Sequence, residues 1–126
     1  IYDENRNKSP DPEVEALIKK FGEERQIRMR DDITKEEILE RCLYPMVNEG
    51  FKILEEGMAI RASDIDIVWT NGYGWPVYEG GPMFYGNIIG FDKILFWLKK
   101  AELELGPEFK PSAYLEKVVT EEINIF

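Results

Sequence analysis

Close acidic pairs, one glycine-rich turn and a cluster of aromatics are the residues of this chain whose types and spacing suggest chemistry. Asp64 stands near Asp66, and Glu55 beside Glu56. Converging carboxylates hold divalent cations, but at i, i+2 on a helix two side chains point apart, and adjacent glutamates diverge further. Asp64 and Asp66 read instead as first-turn charges favoured by a helix dipole. The run "GYGWPV" nearly spells a dinucleotide fingerprint, with Gly72, Gly74, then Val77 where glycine or alanine belongs, and Asp92 downstream. That fingerprint must leave a β-strand and open a helix whose N-terminus faces a pyrophosphate. Here a helical segment precedes it, and Pro76 with Val77 crowd the approach, so the nucleotide reading fails. Tyr73, Trp75, Tyr78, Phe84 and Tyr85 surround the same turn. They lack the polar groups of a ligand cage. They serve either to lock the loop onto a core, the favoured reading, or to anchor a partner. Cys42 falls on an apolar stripe, which predicts a buried, inert thiol.

The missing residue types narrow the choice further. The chain has no histidine, which removes the usual general base near neutral pH and the commonest metal ligand. Sixteen basic against twenty-five acidic residues give a net charge of −9. Such a surface repels phosphate backbones, and no basic stripe reverses it, so nucleic acid is not an expected partner. A single cysteine excludes an intrachain disulfide and fits a reducing compartment. No apolar run approaches the roughly 18 residues of a membrane span. The polar start, "IYDENRNKSPDP", predicts no signal peptide.

The elements that position these residues are helical. Residues 1–10 read as a linker, and 11–126 as one helical domain. Asp11 caps a helix opening at Pro12, whose missing N–H costs nothing there. Val14, Leu17, Ile18 and Phe21 share one face, with Gly22 as the expected stop. "EERQIRMRDD" reads as irregular or a short helical extension. "TKEE" from Thr34 is a capping box, with Ile33 and Ile38 placed as a hydrophobic staple. Leu39, Cys42, Leu43, Met46, Val47, Gly50 and Leu54 continue one stripe along a helix of about six turns, in which Pro45 predicts a kink. Gly50 marks either a close helix crossing or simple tolerance. "SDID", from Ser63, caps a short helix through Ile65, Val68 and Trp69. "GGP" restarts helix to Gly90. Phe91, Ile94, Leu95, Leu98, Ala101 and Leu105 form another stripe that ends at Gly106-Pro107, and a last helix opens at Ser112. Only "INIF" looks strand-like. The expected fold is all-α, a bundle of about five to seven helices.

Three blocks carry a resemblance: "EEILERCLYPMVNEGFKILEEGMA" from Glu36, "ASDIDIVWTNGYGWPVYEGGPMFY" from Ala62, and "GFDKIL" from Gly90. The sequence resembles the C-terminal helical domain of 3-hydroxyacyl-CoA dehydrogenases, most closely over residues 36–98. Within that family it is most similar to the last domain of the peroxisomal multifunctional β-oxidation type, which fuses enoyl-CoA hydratase to the dehydrogenase. "SPDPEVEALI" resembles the segment that joins the two tandem helical domains of that type.

The resemblance implies a parent that oxidises 3-hydroxyacyl-CoA with NAD and hydrates 2-enoyl-CoA, the cofactor and catalytic His–Glu pair residing in a separate nucleotide-binding domain. It implies that the two helical copies pack much as two subunits of the single-function enzyme do. The first copy supplies an active-site asparagine from an Asn-Arg pair; here the pair reads Glu40-Arg41, and a carboxylate cannot offer the amide's N–H. An aspartate commonly precedes the "GLD" motif, whereas Asn87 stands here before Gly90-Phe91-Asp92. Both departures point to the second, non-catalytic copy, with no catalytic or cofactor-binding residue of its own. Arg41, Pro45, Glu49, Gly72, Gly74, Trp75, Pro76, Gly81, Pro82, Phe84, Gly90 and Asp92 are the family-motif positions and candidate interface. The expected partners are the preceding helical domain and the NAD-binding domain, or a second copy when the chain is isolated. Two other readings are a stand-alone dimerisation module and a small acyl-CoA-binding protein, the latter opposed by the negative charge. The resemblance suggests a peroxisomal setting, although "NIF" stands where a Ser-Lys-Leu address would, and a bacterial parent would be cytoplasmic.

Overall fold

The computed structural model describes residues 2–27 and 30–126. Ile1 of the expected linker, and Arg28 and Met29 of the charged stretch, lie outside the described residues. Internal contacts group the chain into two units, Ile1–Thr34 and Lys35–Phe126. The sequence reading placed its boundary earlier, after Pro10.

In the first unit, Tyr2 and Lys8 form an isolated antiparallel bridge. The Asp3 carboxylate closes the loop between them, accepting from the Asn7 N–H at 2.7 Å and the Asn5 N–H at 2.9 Å. Helix α1 spans Pro12–Glu24. It starts as the sequence requires: Asp11 Oδ1 accepts from the Glu13 N–H at 3.0 Å, and proline occupies the first turn. Gly22 does not stop it. The residue is buried inside the helix, which runs two residues further because its final carbonyls find donors, the Ile27 N–H reaching Gly22 O at 2.8 Å. Val14, Leu17, Ile18 and Phe21 are all exposed.

The second unit is helical throughout. Helix α2 spans Lys35–Glu55 and continues through Pro45; α3 spans Ala62–Gly72, α4 Pro82–Ile89, α5 Phe91–Glu104 and α6 Ala113–Thr120. One-turn 3₁₀ segments at Val77–Glu79 and Pro107–Phe109 join α3 to α4 and α5 to α6. Six α-helices among the described residues meet the all-α expectation. "INIF" is the exception: it forms no strand, and Ile123 and Ile125 fold back as half-buried side chains against the core. A short apolar segment with no strand to pair with gains more by covering a helix face.

The core is built from Tyr44, Val47 and Phe51 of α2, Met83 of α4, Ile94 and Leu98 of α5, and Leu115 of α6, each at most 2% exposed. Phe51 sits edge-on to Phe91 at 5.0 Å, an arrangement in which a positive ring edge meets a negative face. Gly50 is where α4 crosses α2, since a Cβ there would run into the Met83 sulfur. At Gly86 on α4, a Cβ would lie 2.7 Å from a Val47 methyl. The close-crossing reading of Gly50 is therefore correct.

One polar tie crosses this core. Asn48, 2% exposed, donates from Nδ2 to Lys110 O at 2.9 Å and accepts at Oδ1 from the Ser112 N–H at 2.8 Å. Ser112 caps α6, its Oγ accepting from the Tyr114 and Leu115 N–H groups and donating to Glu55 Oε2 at 2.8 Å. A buried amide is tolerable only when both its ends are matched, as here.

Candidate functional site

The glycine-rich turn is shaped by the end of α3. Trp69 O accepts from the Tyr73 N–H at 3.2 Å and from the Trp75 N–H at 3.1 Å, which folds the chain back beneath the helix. Gly74 follows with φ +75°. Trp75 is thereby driven inward, 9% exposed, with its ring edge-on to Trp69 at 6.1 Å and to Tyr85 at 6.0 Å. Tyr73, Val77 and Tyr78 remain 71%, 77% and 86% exposed. The aromatic cluster thus divides. Trp75, with Tyr85 half-buried beside it, locks the loop, while Tyr73 lies over Trp69 at 4.9 Å but largely in solvent and Tyr78 is left exposed. The run around Gly72 and Gly74 leaves the C-terminal, negative end of α3, which repels a pyrophosphate. These residues do not fit NAD.

Asp66 has a role the sequence reading missed. It is 5% exposed, and its carboxylate accepts from the Met83 N–H at 2.7 Å and the Phe84 N–H at 3.0 Å. These are orphan donors at the start of α4, whose own N-cap, Gly81, has no side chain to satisfy them. Asp66 of α3 therefore caps α4 from outside, rather than serving its own helix dipole as expected. Gly81 is required by this approach: with φ +97°, it lies where a Cβ would strike the Asp66 backbone. Burial raises the Asp66 pKa above 3.8, and the two N–H donors only partly offset that. Helix α3 also begins one residue before Ser63, with Arg61 at the N-cap. Asp64, not Ser63, completes its first turn, pairing with the Arg61 guanidinium at 2.7 Å. The signal for Asp66 was a carboxylate one position after Ile65 on a helix that had to pack.

A second departure lies on α2. Leu39 is 51% exposed and Cys42 is exposed, against the expected buried stripe. Burial begins at Tyr44, because α4 and α5 cover only the helix from there onward. Leu39 and Leu43 instead form one wall of an open groove of about 320 Å³, the other side being Trp75, Pro76, Glu79 and Tyr85. Near it, interaction with Tyr44, and more weakly with the Glu40 charge, raises the Lys93 pKa. Burial raises the Tyr85 hydroxyl pKa, and the neighbouring Tyr44, Glu79 and Glu40 add to this against Lys93.

The remaining motif residues are scattered. Arg41 pairs with Glu37 at 3.2 Å and Glu49 with Lys52 at 3.3 Å, both on the exposed side of α2. Pro45 is half-buried; Gly72 and Pro76 are exposed; Pro82 is buried at the start of α4. Phe84, 42% exposed, packs edge-on against Phe126 at 6.2 Å. Gly90, at φ +100°, turns the chain from α4 into α5, where Asp92 lies exposed in the first turn. The structure thus gathers Trp75 and Pro76 at the groove and leaves Arg41, Glu49 and Asp92 apart as solvated charges. No helix among the described residues is long and apolar enough to cross a membrane.

Comparison with known proteins bears on these features. Residues 38–123 match the model of the family described as 3-hydroxyacyl-CoA dehydrogenase, C-terminal domain. The human peroxisomal bifunctional enzyme is 40% identical over 114 residues, which is 89% of this chain and 16% of that protein. The zebrafish (Danio rerio) peroxisomal bifunctional enzyme is 38% identical over 123 residues, 94% of this chain and 17% of that protein. A cucumber (Cucumis sativus) glyoxysomal fatty acid beta-oxidation multifunctional protein, MFP-a, is 36% identical over 118 residues, 91% of this chain and 16% of that protein. The chain spans about one sixth of the length of these relatives.

Proposed function

The chain belongs to the 3-hydroxyacyl-CoA dehydrogenase C-terminal domain family, and on that premise we propose that it is a non-catalytic bracing domain of a multifunctional fatty-acid β-oxidation enzyme. The parent oxidises 3-hydroxyacyl-CoA to 3-ketoacyl-CoA with NAD and hydrates 2-enoyl-CoA. In this reading 11–126 is one helical domain that follows a linker, docks against the preceding helical domain and the NAD-binding domain, and works in the peroxisome. The observation that carries the reading is the uncovered apolar surface of Lys35–Phe126. Leu39 on α2, Val77 and Tyr78 after α3, and Phe96 on α5 are all more than half exposed on a unit whose core is otherwise closed. Large side chains left in water on a folded helical unit mark a surface meant to be covered.

The absence of chemistry of its own is supported by Glu40. At the position matched to the family's active-site asparagine, a carboxylate accepts hydrogen bonds and donates none at neutral pH. It adds a negative charge where a thioester oxygen would need a donor. When bound in the parent, NAD accepts the hydride; this chain contributes the position of its neighbours. Purified alone, it is expected to show no turnover of 3-hydroxyacyl-CoA with NAD⁺, read by absorbance of the reduced nicotinamide. Mixed with the upstream portion of the same polypeptide, it is expected to associate. Appreciable turnover by the isolated chain overturns the proposal.

A further inference from the structure

Four open hollows lie on Lys35–Phe126 among the described residues, and in the one between Leu54, Glu55, Ile60 and Tyr114 the carboxylate is already engaged by Ser112. A second, of about 380 Å³ between Asp66, Gly80 and Phe126, has its only buried charged group already engaged with the Met83 and Phe84 N–H groups. Another, beside Met58 and Tyr73, presents no group that specifies an occupant. The groove between Leu39, Leu43, Trp75, Pro76, Glu79 and Tyr85 is different, because two independent features define what fits it.

Its walls are apolar on both sides, from a leucine pair one helical turn apart on α2 and from the Trp75-Pro76 corner. That geometry accepts one aliphatic side chain laid between them, as in helix-in-groove recognition. Its rim is acidic. Glu79 lines it, and the charges of Glu79 and Glu40 together oppose that of Lys93 at the lining Tyr85, which leaves the rim negative on balance.

We propose that this groove is the primary seat on which the parent's upstream polypeptide docks, and that its occupant is an aliphatic side chain flanked by lysine or arginine. The inference rests on the bracing role proposed above and specifies which surface carries it. A second copy of the chain is the poorer occupant, since each copy brings a net charge of −9 and the same acidic rim.

The test uses the 126-residue chain and, as probe, the separately expressed upstream portion of the same polypeptide, with affinity read by calorimetry. Leu39→Asp, at a position already half in solvent, is expected to leave the thermal midpoint unchanged and weaken binding at least about tenfold. Glu40→Gln with Glu79→Gln is expected to weaken binding several-fold and to flatten its salt dependence, because the rim charges are exposed to screening. Leu103→Asp, at an exposed position near the end of α5, is expected to bind as the wild type does. Association retained by Leu39→Asp and lost by Leu103→Asp overturns the groove while leaving the bracing role intact. No association by the wild type overturns both. A concentration-dependent dimer of the isolated chain that Leu39→Asp dissociates assigns the groove to a second copy and overturns the proposal.

Discussion

From Tyr44 to Phe51, α2 presents residues 0–2% exposed at Tyr44, Val47, Asn48 and Phe51, and four other helices touch it there or nearby. From Lys35 to Leu43 the same helix, carrying the same apolar period, leaves Ile38 and Leu39 at 52% and 51% exposed. The two halves differ in what surrounds them, not in how they are written. The C-terminal half is where α4 crosses at Gly50 and where Asn48 holds the α6 cap. The N-terminal half has only the Trp75-Pro76 corner opposite it, and the space between stays open. One stripe therefore does two jobs. Its inner part specifies the fold, and its outer part is surface in search of a partner.

The sharpest way to break this contrast is a matched pair of truncations. Phe51→Ala removes a fully buried ring and is expected to cost about 3–5 kcal/mol in urea denaturation. Leu39→Ala is expected to change stability by no more than about 0.5 kcal/mol. Equal losses at the two sites would mean that the outer stripe is core after all. Next in size is Asn48→Ala, which leaves Lys110 O and the Ser112 N–H without their partner in a buried place. A loss of about 1–3 kcal/mol is expected by the same measurement. A loss near zero would show that the α2–α6 tie is incidental to the packing around it.

These two halves also show how far the sequence could be read. Periodicity, cap signatures and the Gly-Gly-Pro restart together located the six helices, and a 3.6-residue repeat reports that a face is apolar. It does not report which turns of that face a neighbour reaches, so Leu39 and Cys42 read as core together with Val47. Two caps made within one helix were legible, since Asp11 and Ser112 sit immediately before the turns they satisfy, whereas at α3 the expected Ser63 gave way to Arg61 and Asp64. The cap made between helices was not legible. Asp66 lies 17 residues before Met83, and only the folded crossing of α3 and α4 brings its carboxylate to that helix start. Of the candidate site, Trp75 and Pro76 were singled out from composition. Their opposite wall, Leu39 and Leu43, had already been spent on the core in that reading.

Asp66 gives a comparison of its own, between a carboxylate buried in the core region and those on the surface. The Asp64 carboxyl is held below its usual range by the Arg61 hydrogen bond, so its contribution is present above 3.8 and lost as pH falls. Asp66 runs the other way. Its folded pKa lies above 3.8 because burial disfavours the charge. Between the unfolded and folded values the native state binds more protons, so this group's contribution is fully present below 3.8 and is lost as pH rises through the folded pKa. Asp66→Asn removes that titration. The stability of wild type relative to Asp66→Asn is therefore expected to fall as pH is raised from 3.8, by urea midpoints taken in parallel. A difference that grows with pH would show that the two backbone N–H donors outweigh burial.

The smallest effect comes from Cys42, and it tests the outer half of α2 most directly. Its thiol is exposed, although it occupies the same apolar stripe that buries Val47 completely five residues on. A buried thiol reacts only when the protein opens, so labelling would be slowed by the full opening equilibrium. An exposed one reacts from the native state. Native chain treated with a thiol reagent is expected to label at a rate within a few-fold of the unfolded chain, and Cys42→Ser is expected to shift stability by no more than about 0.5 kcal/mol. Adding the upstream polypeptide then separates surface from interface. The thiol is one helical turn from Leu39, on the helix that walls the groove, so occupation of the groove should slow labelling without changing the stability of the free chain. Protection already complete in the isolated chain would return Cys42 to the core and remove the distinction between the two halves.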